Sequence, residues 1–133
     1  MISIKNITTG IFSYLANYSA SLPDLYWPNV NKELPQYEYI KVDILPGNTQ
    51  SLGVKSLDRT PGIIQLMVNV ADGVGSVRPL EIADQLLGYF PRGTEINESG
   101  TRIRIDKAGY TAPAMQNGTW YSVAVSIPFY VLK

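Results

Sequence analysis

The sequence predicts a single α+β domain over residues 1–133, with one mostly antiparallel sheet and two helices packed on one face, in the order α-β-β-α-β-β-β. A chain of 133 residues is long enough to bury a hydrophobic core without disulfides or metals. Two segments repeat apolar residues at helical spacing, and others alternate apolar and polar residues as strands do. Because the strands follow one another without regular β-α-β alternation, we expect an antiparallel sheet.

The first predicted element is a helix over residues 3–20. Gly10 inside it lowers its intrinsic stability by about 1 kcal/mol relative to Ala, so we expect the helix to depend on packing. Its apolar residues lie three or four positions apart and share one face, namely Ile4, Ile7, Ile11, Leu15, Tyr18 and Leu22. Residues 23–37 follow as an ordered crossover, because they combine several prolines with large aromatic rings.

Two half-buried strands are predicted next, at residues 37–45 and 63–70, where apolar and polar residues alternate. Pro61 and Gly62 start the second of them. Residues 46–62, between the strands, are rich in Gly, Ser, Thr and Asn. They form either a protruding extended hairpin or a functional loop.

The second helix lies in the eighties, where Leu80, Ala83, Leu87 and Phe90 repeat at helical spacing. Pro79 falls in its first turn and Ser76 is a candidate cap, whereas Pro91 and Gly93 end it. Short strands at residues 94–97 and 101–107 then flank a hairpin loop. The last strand covers residues 119–132, and Pro128 indicates an edge or a bulge because it lacks an amide hydrogen.

The composition excludes several classes of function. With no histidine and no cysteine, the chain has no imidazole or thiolate metal ligand, no cysteine nucleophile and no Ser-His-Asp triad. We therefore expect no catalytic residue, no metal and no cofactor. Lys+Arg and Asp+Glu both number 11, which argues against sequence-specific or bulk-charge binding of nucleic acid. No apolar run approaches the ~18 residues of a membrane span, so no membrane partner is expected.

Two patterns that resemble chemical sites have simpler explanations. The turn DGVGS at residues 72–76 precedes a helix as a phosphate-binding turn does, but Arg78 stands where a dinucleotide fingerprint needs glycine. We interpret it as a plain strand-to-helix turn. Glu81 and Asp84 lie three apart near a helix start, where acids more often complement the helix dipole than share a proton or metal. A small carboxylate enzyme is thus the weaker hypothesis.

Charged and aromatic residues indicate protein contacts instead. Arg102, Arg104 and Asp106 project from one strand face, and the interleaved acids suit a protein partner better than a phosphate backbone. Nine tyrosines favour an interface for some of the aromatic rings. The pattern-based interface candidates are Tyr26, Trp27, Leu52, Val54, Arg59, Arg102, Arg104, Asp106, Tyr110 and Trp120.

The order and spacing of several short motifs resemble the tail-terminator-like proteins of long-tailed bacteriophages. In chain order these motifs are YWPNV at residues 26–30, TPG at 60–62, VADGVG at 70–75, ADQL at 83–86, FPRGT at 90–94, GTWY at 118–121 and SIPFY at 126–130. Each motif is weakly specific alone, and together they cover most of residues 22–132.

This resemblance implies a structural virion protein that assembles with itself as a ring, usually hexameric, on the head-proximal end of the tail tube. Its implied partners are the tail tube protein and the head–tail connector or head-completion protein, with assembly in the host cytoplasm. The family brings no catalytic residues. Two alternatives stay open: a head–tail connector or neck ring protein, and a non-viral binding module that adds a strand to a partner's sheet.

Overall fold

A computed structural model describes residues 3–28, 33, 37–53, 57–71, 73, 75 and 77–132. The elements in chain order are α1 (Ile4–Ala16), β1 (Asp24–Tyr26), β2 (Glu38–Pro46), β3 (Gln50–Ser51), β4 (Asp58–Ala71), α2 (Val77–Tyr89), β5 (Glu95–Glu98), β6 (Thr101–Ile105), β7 (Tyr110–Thr111), β8 (Met115–Asn117) and β9 (Trp120–Leu132). The predicted order α-β-β-α-β-β-β is therefore incomplete. It lacks β1, β3, β7 and β8, which are too short to show an alternating pattern.

The strands form one mixed sheet in the order β1-β2-β4-β9-β6-β5, with β3 beside β4 and both β7 and β8 beside β9. The long strands β2, β4 and β9 pair in antiparallel register, but β1 runs parallel to β2. The prediction of a mostly antiparallel sheet is corrected to a mixed one, because the crossover after α1 adds a parallel strand at the margin.

Both helices pack against the same face of this sheet. Alternate residues of β4 and β9 join the apolar sides of α1 and α2 in one hydrophobic core, which includes Ile7, Ile11, Leu15, Ile64, Leu66, Val68, Ile82, Leu86, Val125 and Ile127. The opposite face of the sheet points away from both helices. We call it the open face, and it carries Tyr39, Lys41 and Asp43 of β2 with the residues registered opposite them on β4 and β9.

Helix α1 is shorter than predicted. Ser3 caps it by accepting a hydrogen bond from the Asn6 amide, and it ends at Ala16, so Tyr18 and Leu22 lie beyond it around a single 3-10 turn. Gly10 is needed for packing, because a Cβ there would lie 2.9 Å from the Cβ of Glu98. Helix α2 runs Val77–Tyr89 with Pro79 buried in its first turn, and the proposed cap Ser76 lies outside the described residues.

The described residues 46–53 and 57–62 pair with one another as a hairpin, which agrees with the first of the two predicted alternatives. Strand β4 starts at Asp58, so Pro61 and Gly62 lie within it and not at its start. Strand β3 pairs with Arg59 and Asp58, and the Leu52 amide donates to the Leu57 carbonyl at 2.9 Å near the tip.

Pro128 lies in a central strand, not at a sheet edge as its missing amide suggested. On one side it registers with Ile63 of β4. On the other side β9 changes partners around it, since Ser126 pairs with β7 and Phe129 pairs with β6. Its carbonyl accepts from the Asp106 amide. Proline is accommodated where the hydrogen-bonded partner changes.

The close fit of β4 against β9 predicts the effect of a single added methyl group. In Gly62→Ala, the new Cβ meets the Phe129 ring, with Cε1 at 2.8 Å, and the Leu45 carbonyl oxygen at 3.1 Å. We expect a loss of about 1–3 kcal/mol in the free energy of unfolding, measured by denaturant titration.

Gly88→Ala is the matched control, because Gly88 lies in α2 and a Cβ added there would have no neighbouring atom within 4 Å. It should be neutral or stabilise by up to about 1 kcal/mol. Equal losses in both variants would contradict the packing described for Gly62.

Candidate interaction surface

The open face has an uncharged centre and charged margins. Along β4 and β9, its central positions carry only uncharged side chains. Asn69 and Ser122 are buried and hydrogen-bonded to each other, and the half-buried ones are Pro61, Ile63, Gln65, Met67, Trp120, Ala124, Ser126, Pro128 and Tyr130. Charged residues stand on the flanking strands, such as Lys41 on β2 and Arg104 on β6. Such an arrangement, with charge depleted at the centre and present at the rim, is typical of protein interfaces.

Three arginines gather on the margin formed by β5 and β6. The register places Arg104 of β6 beside Tyr130 of β9, and Pro61 of β4 beside the same tyrosine. Arg59, two residues before Pro61, lies over the Tyr130 ring with its Cζ 4.8 Å from the ring centroid. Arg59 also pairs with Asp106 at 3.2 Å. The cross-strand register thus places Arg59 and Arg104 on the same tyrosine, although 45 positions separate them in the chain.

Glu95 completes this cluster by pairing with both remaining arginines. Its carboxylate lies 3.2 Å from Arg104 and 3.7 Å from Arg102. We call the group of Arg59, Arg102, Arg104, Glu95, Asp106 and Tyr130 the basic corner. Three guanidiniums against two carboxylates leave it with a net charge of +1.

A shallow hollow of about 190 Å³ opens in the basic corner, lined by Glu95, Arg102, Arg104, Tyr130 and Leu132. A hydrogen bond to the Tyr130 hydroxyl, aided by the Glu95 carboxylate, raises the pKa of Arg104. Arg102 is 77% exposed, and its ion-pair contact to Glu95 is long at 3.7 Å. Its planar N–H groups face solvent in a geometry suited to a carboxylate.

An aromatic row lies at the opposite margin of the sheet. Tyr26 of β1 contacts Tyr39 of β2 edge-on at 5.0 Å between ring centroids, and Tyr39 contacts Trp120 of β9 at 4.9 Å. Tyr26 is buried, with 9% exposure, and its hydroxyl donates to the Glu33 carbonyl. The interface candidate Tyr26 thus packs within this margin of the sheet.

Carboxylates surround this aromatic row. Asp24 and Glu33 are exposed, and Asp43 is half-buried two positions after the exposed Lys41 on the open face. We call the described charged residues Asp24, Glu33, Lys41 and Asp43 the acidic edge. Burial raises the pKa of Tyr26, and the Asp24 carboxylate raises it further, as expected where negative charge accumulates.

The structure brings together some of the sequence-based interface candidates and separates others. Arg59, Arg102, Arg104 and Asp106 meet in the basic corner, while Trp120 joins Tyr26 in the aromatic row. Trp27 packs on Phe12 of α1, with ring centroids 4.6 Å apart.

The other candidates lie near the hairpin. Leu52 is 43% exposed close to the hairpin tip, and Val54 lies outside the described residues. Tyr110 is 53% exposed and helps to line a groove of about 580 Å³ at the hairpin base, together with Leu45, Pro61, Ile63 and Pro128.

The interface candidates chosen from the sequence omit Tyr130, and Tyr39 stands only among the aromatic residues that could be either core rim or interface. Tyr130 lies between Arg59 and Arg104, and Tyr39 links the two other rings of the aromatic row. Their positions in the strands could have indicated them, because both tyrosines lie on the polar side of a strand whose other side is apolar. A large ring at such a position indicates a half-exposed side chain, but not its neighbours.

Glu81, Asp84 and the described glycines of the turn at residues 72–76 form no chemical cluster in the described part of the chain. Glu81 is exposed and lies 3.7 Å from Arg78, and Asp84 is also exposed. Of the turn at residues 72–76, only Gly73 and Gly75 are described, both with positive φ. Within the described residues, no three metal-ligating side chains come together. Neither α1 nor α2 has the length and apolar character to cross a membrane.

Sequence comparison decides the family. A family model described as phage tail terminator protein matches residues 6–129. The chain belongs to this family. The family is structural and non-enzymatic. This chain is therefore a structural protein of the phage virion tail.

Structural comparison supports the fold. Nine solved chains match. One of them, whose name carries no functional description, superposes with a TM-score of 0.80 at 18% sequence identity, covering 100% of this chain and 97% of its own. At this identity the likeness concerns the fold alone. No curated protein matches the sequence.

The exposure of the basic corner predicts that its charges contribute little to folding. In Arg102→Glu, a 77% exposed side chain with a 3.7 Å ion-pair contact is replaced. We expect the free energy of unfolding to change by less than about 1 kcal/mol, measured by thermal or denaturant unfolding of the isolated chain. A loss of several kcal/mol would show that the corner is a structural ion-pair network instead.

Proposed function

We propose that this tail terminator family member caps the head-proximal end of the tail tube, stops tube polymerisation and provides the surface to which the head attaches. The observation that carries the proposal is the family match over residues 6–129. The proposed assembly is a ring, with a hexamer as the expected stoichiometry. The proposed partners are further copies of the same chain, the tail tube protein and the head–tail connector.

A cap needs two different axial surfaces, one for the tube and one for the head. The long strands offer two ends about 45 Å apart, from ~3.3 Å per residue over the 14 residues of β4. At one end Arg78 of α2 binds Glu38 of β2 at 2.7 Å, next to the exposed Tyr37, Leu80 and Met115. At the other end stand the exposed Leu45, Leu52 and Leu132.

The exposed apolar residues at the two ends of the strands have different surroundings, which supports a different partner at each end. Leu52 directly follows β3, which pairs with the start of β4, whereas Leu80 lies on a helix held by the Arg78–Glu38 ion pair. In the proposed mechanism, one end packs on the last tube ring, and the other differs from a tube subunit, so no further subunit adds.

The capping function predicts an effect on tube length. Tail tube protein polymerised with the wild-type chain should give shorter tubes than tube protein alone, as measured by electron microscopy. The wild-type chain should also assemble in solution, and six copies of 14.7 kDa give about 88 kDa. A chain that stays monomeric at high concentration and leaves tube length unchanged would contradict the proposal.

Two variants separate the ends. Leu52→Asp and Leu80→Asp each place a charge on an exposed apolar residue, at opposite ends of the strands. One of them should abolish the shortening of tubes, while the other should cap tubes normally and fail to join heads. If both variants cap and join as the wild type does, these ends are not the axial surfaces.

A further inference from the structure

We propose that the basic corner and the groove at the hairpin base form one binding surface for an acidic, apolar segment of a partner protein. The groove takes aliphatic side chains of that segment, and the exposed Arg102 guanidinium takes a carboxylate beside them. This inference deepens the proposed function, and it rests on that function only in placing the segment on a neighbouring virion protein at one end of the strands.

Two neighbouring rows of side chains cross the open face at this end of the sheet. The first row is apolar and crosses β2, β4 and β9, namely Leu45, Ile63 and Pro128. The second row ends in a cation and crosses β4, β9 and β6, namely Pro61, Tyr130 and Arg104. The rows lie two positions apart along β4 and β9, which is about 7 Å. Alternate side chains of an extended segment have the same spacing, so one segment can place an aliphatic side chain on the first row and a carboxylate on the second.

Arg59 joins the two cavities of this surface. Its guanidinium lies over the Tyr130 ring, which lines the hollow of about 190 Å³ in the basic corner. Arg59 and its ion-pair partner Asp106 both line the groove of about 580 Å³ at the hairpin base. The hollow and the groove therefore meet at the Arg59–Tyr130 contact, within reach of a single bound segment.

The charges around the two cavities favour a carboxylate from outside. The described charged residues that line them are four cations and two carboxylates, namely Arg59, Arg102, Arg104, Lys107, Glu95 and Asp106. Glu95 is shared by two arginines, and its contact to the 77% exposed Arg102 is long at 3.7 Å. An exposed guanidinium can bind a further carboxylate through two parallel hydrogen bonds. The Tyr130 and Leu132 side chains beside it lower the local polarity, which strengthens that attraction.

The apolar half of the surface favours a protein segment over a nucleic acid. Leu45 is 50% exposed and Tyr110 is 53% exposed at the groove, so an aliphatic side chain bound there would remove apolar area from water. A phosphate backbone offers no such side chain. The Glu95 and Asp106 carboxylates would also repel phosphates along the same surface.

Peptide selection tests the chemistry of the occupant. Short random peptides displayed on yeast are selected for binding to the wild-type chain and sequenced. We expect the selected peptides to be enriched in Asp or Glu, with Leu, Ile or Val two positions away. Selection that yields no binding peptide, or peptides without this acidic enrichment, overturns the proposal.

Variants test where a selected peptide binds. Arg102→Glu should weaken its binding by at least about tenfold, because like charges then oppose each other. Leu45→Asp should weaken it as well, since it places a charge on the apolar row. Lys5→Glu is the matched control and should bind as the wild type does. It makes the same change in net charge at an exposed residue of α1, on the face of the sheet opposite this surface. Fluorescence anisotropy of the labelled peptide measures binding, and thermal unfolding checks that each variant is folded.

The outcomes separate this surface from the proposed function. If the peptide binds Arg102→Glu as tightly as the wild type, or if a DNA duplex displaces it at equal concentration, the surface is not a site for acidic protein segments. The capping function then stands or falls on tube length alone. If acidic peptides bind through Arg102 but the wild-type chain leaves tube length unchanged, the capping function is wrong and the binding surface stands without its place in a cap.

Discussion

The pairing of β4 with β9 is the interaction on which the rest of the structure depends. It joins 13 residues of each strand in continuous antiparallel register, from Arg59 opposite Leu132 to Ala71 opposite Trp120. One face of this pair supplies the centre of the core that both helices cover. The other supplies the uncharged centre of the open face. Because side chains alternate with a period of two, a slip of one residue would exchange these two faces and destroy both.

The same register assembles the charged surfaces. It sets Pro61, Tyr130 and Arg104 in one row across β4, β9 and β6, which brings Arg59 over the Tyr130 ring. At the other end of β9 it sets Trp120 beside Ala71, and the Trp120 ring reaches Tyr39. The basic corner and the aromatic row beside the acidic edge are therefore consequences of one strand pairing. A structural protein of the virion tail acts through its surfaces, and this strand pairing fixes them relative to one another.

The long elements could be predicted from the sequence, because a helix of 13 residues or a strand of nine repeats its pattern often enough to be recognised. The short strands could not. Strand β1 has three residues, and its parallel pairing with β2 depends on the path of the whole crossover. The stripe of Arg102, Arg104 and Asp106 was visible as local alternation. Arg59 and Tyr130 join it only through the sheet register. Tyr26 looked exposed because nothing local shows that Tyr39 and the Glu33 carbonyl enclose it.

The central proposal is that copies of this chain close into a ring on the head-proximal end of the tail tube. Electron cryomicroscopy of tubes assembled with the wild-type chain tests it most directly. We expect a closed ring of this chain at one end of each tube. Tube ends without such a ring, or an open helical filament of this chain, would contradict the proposal.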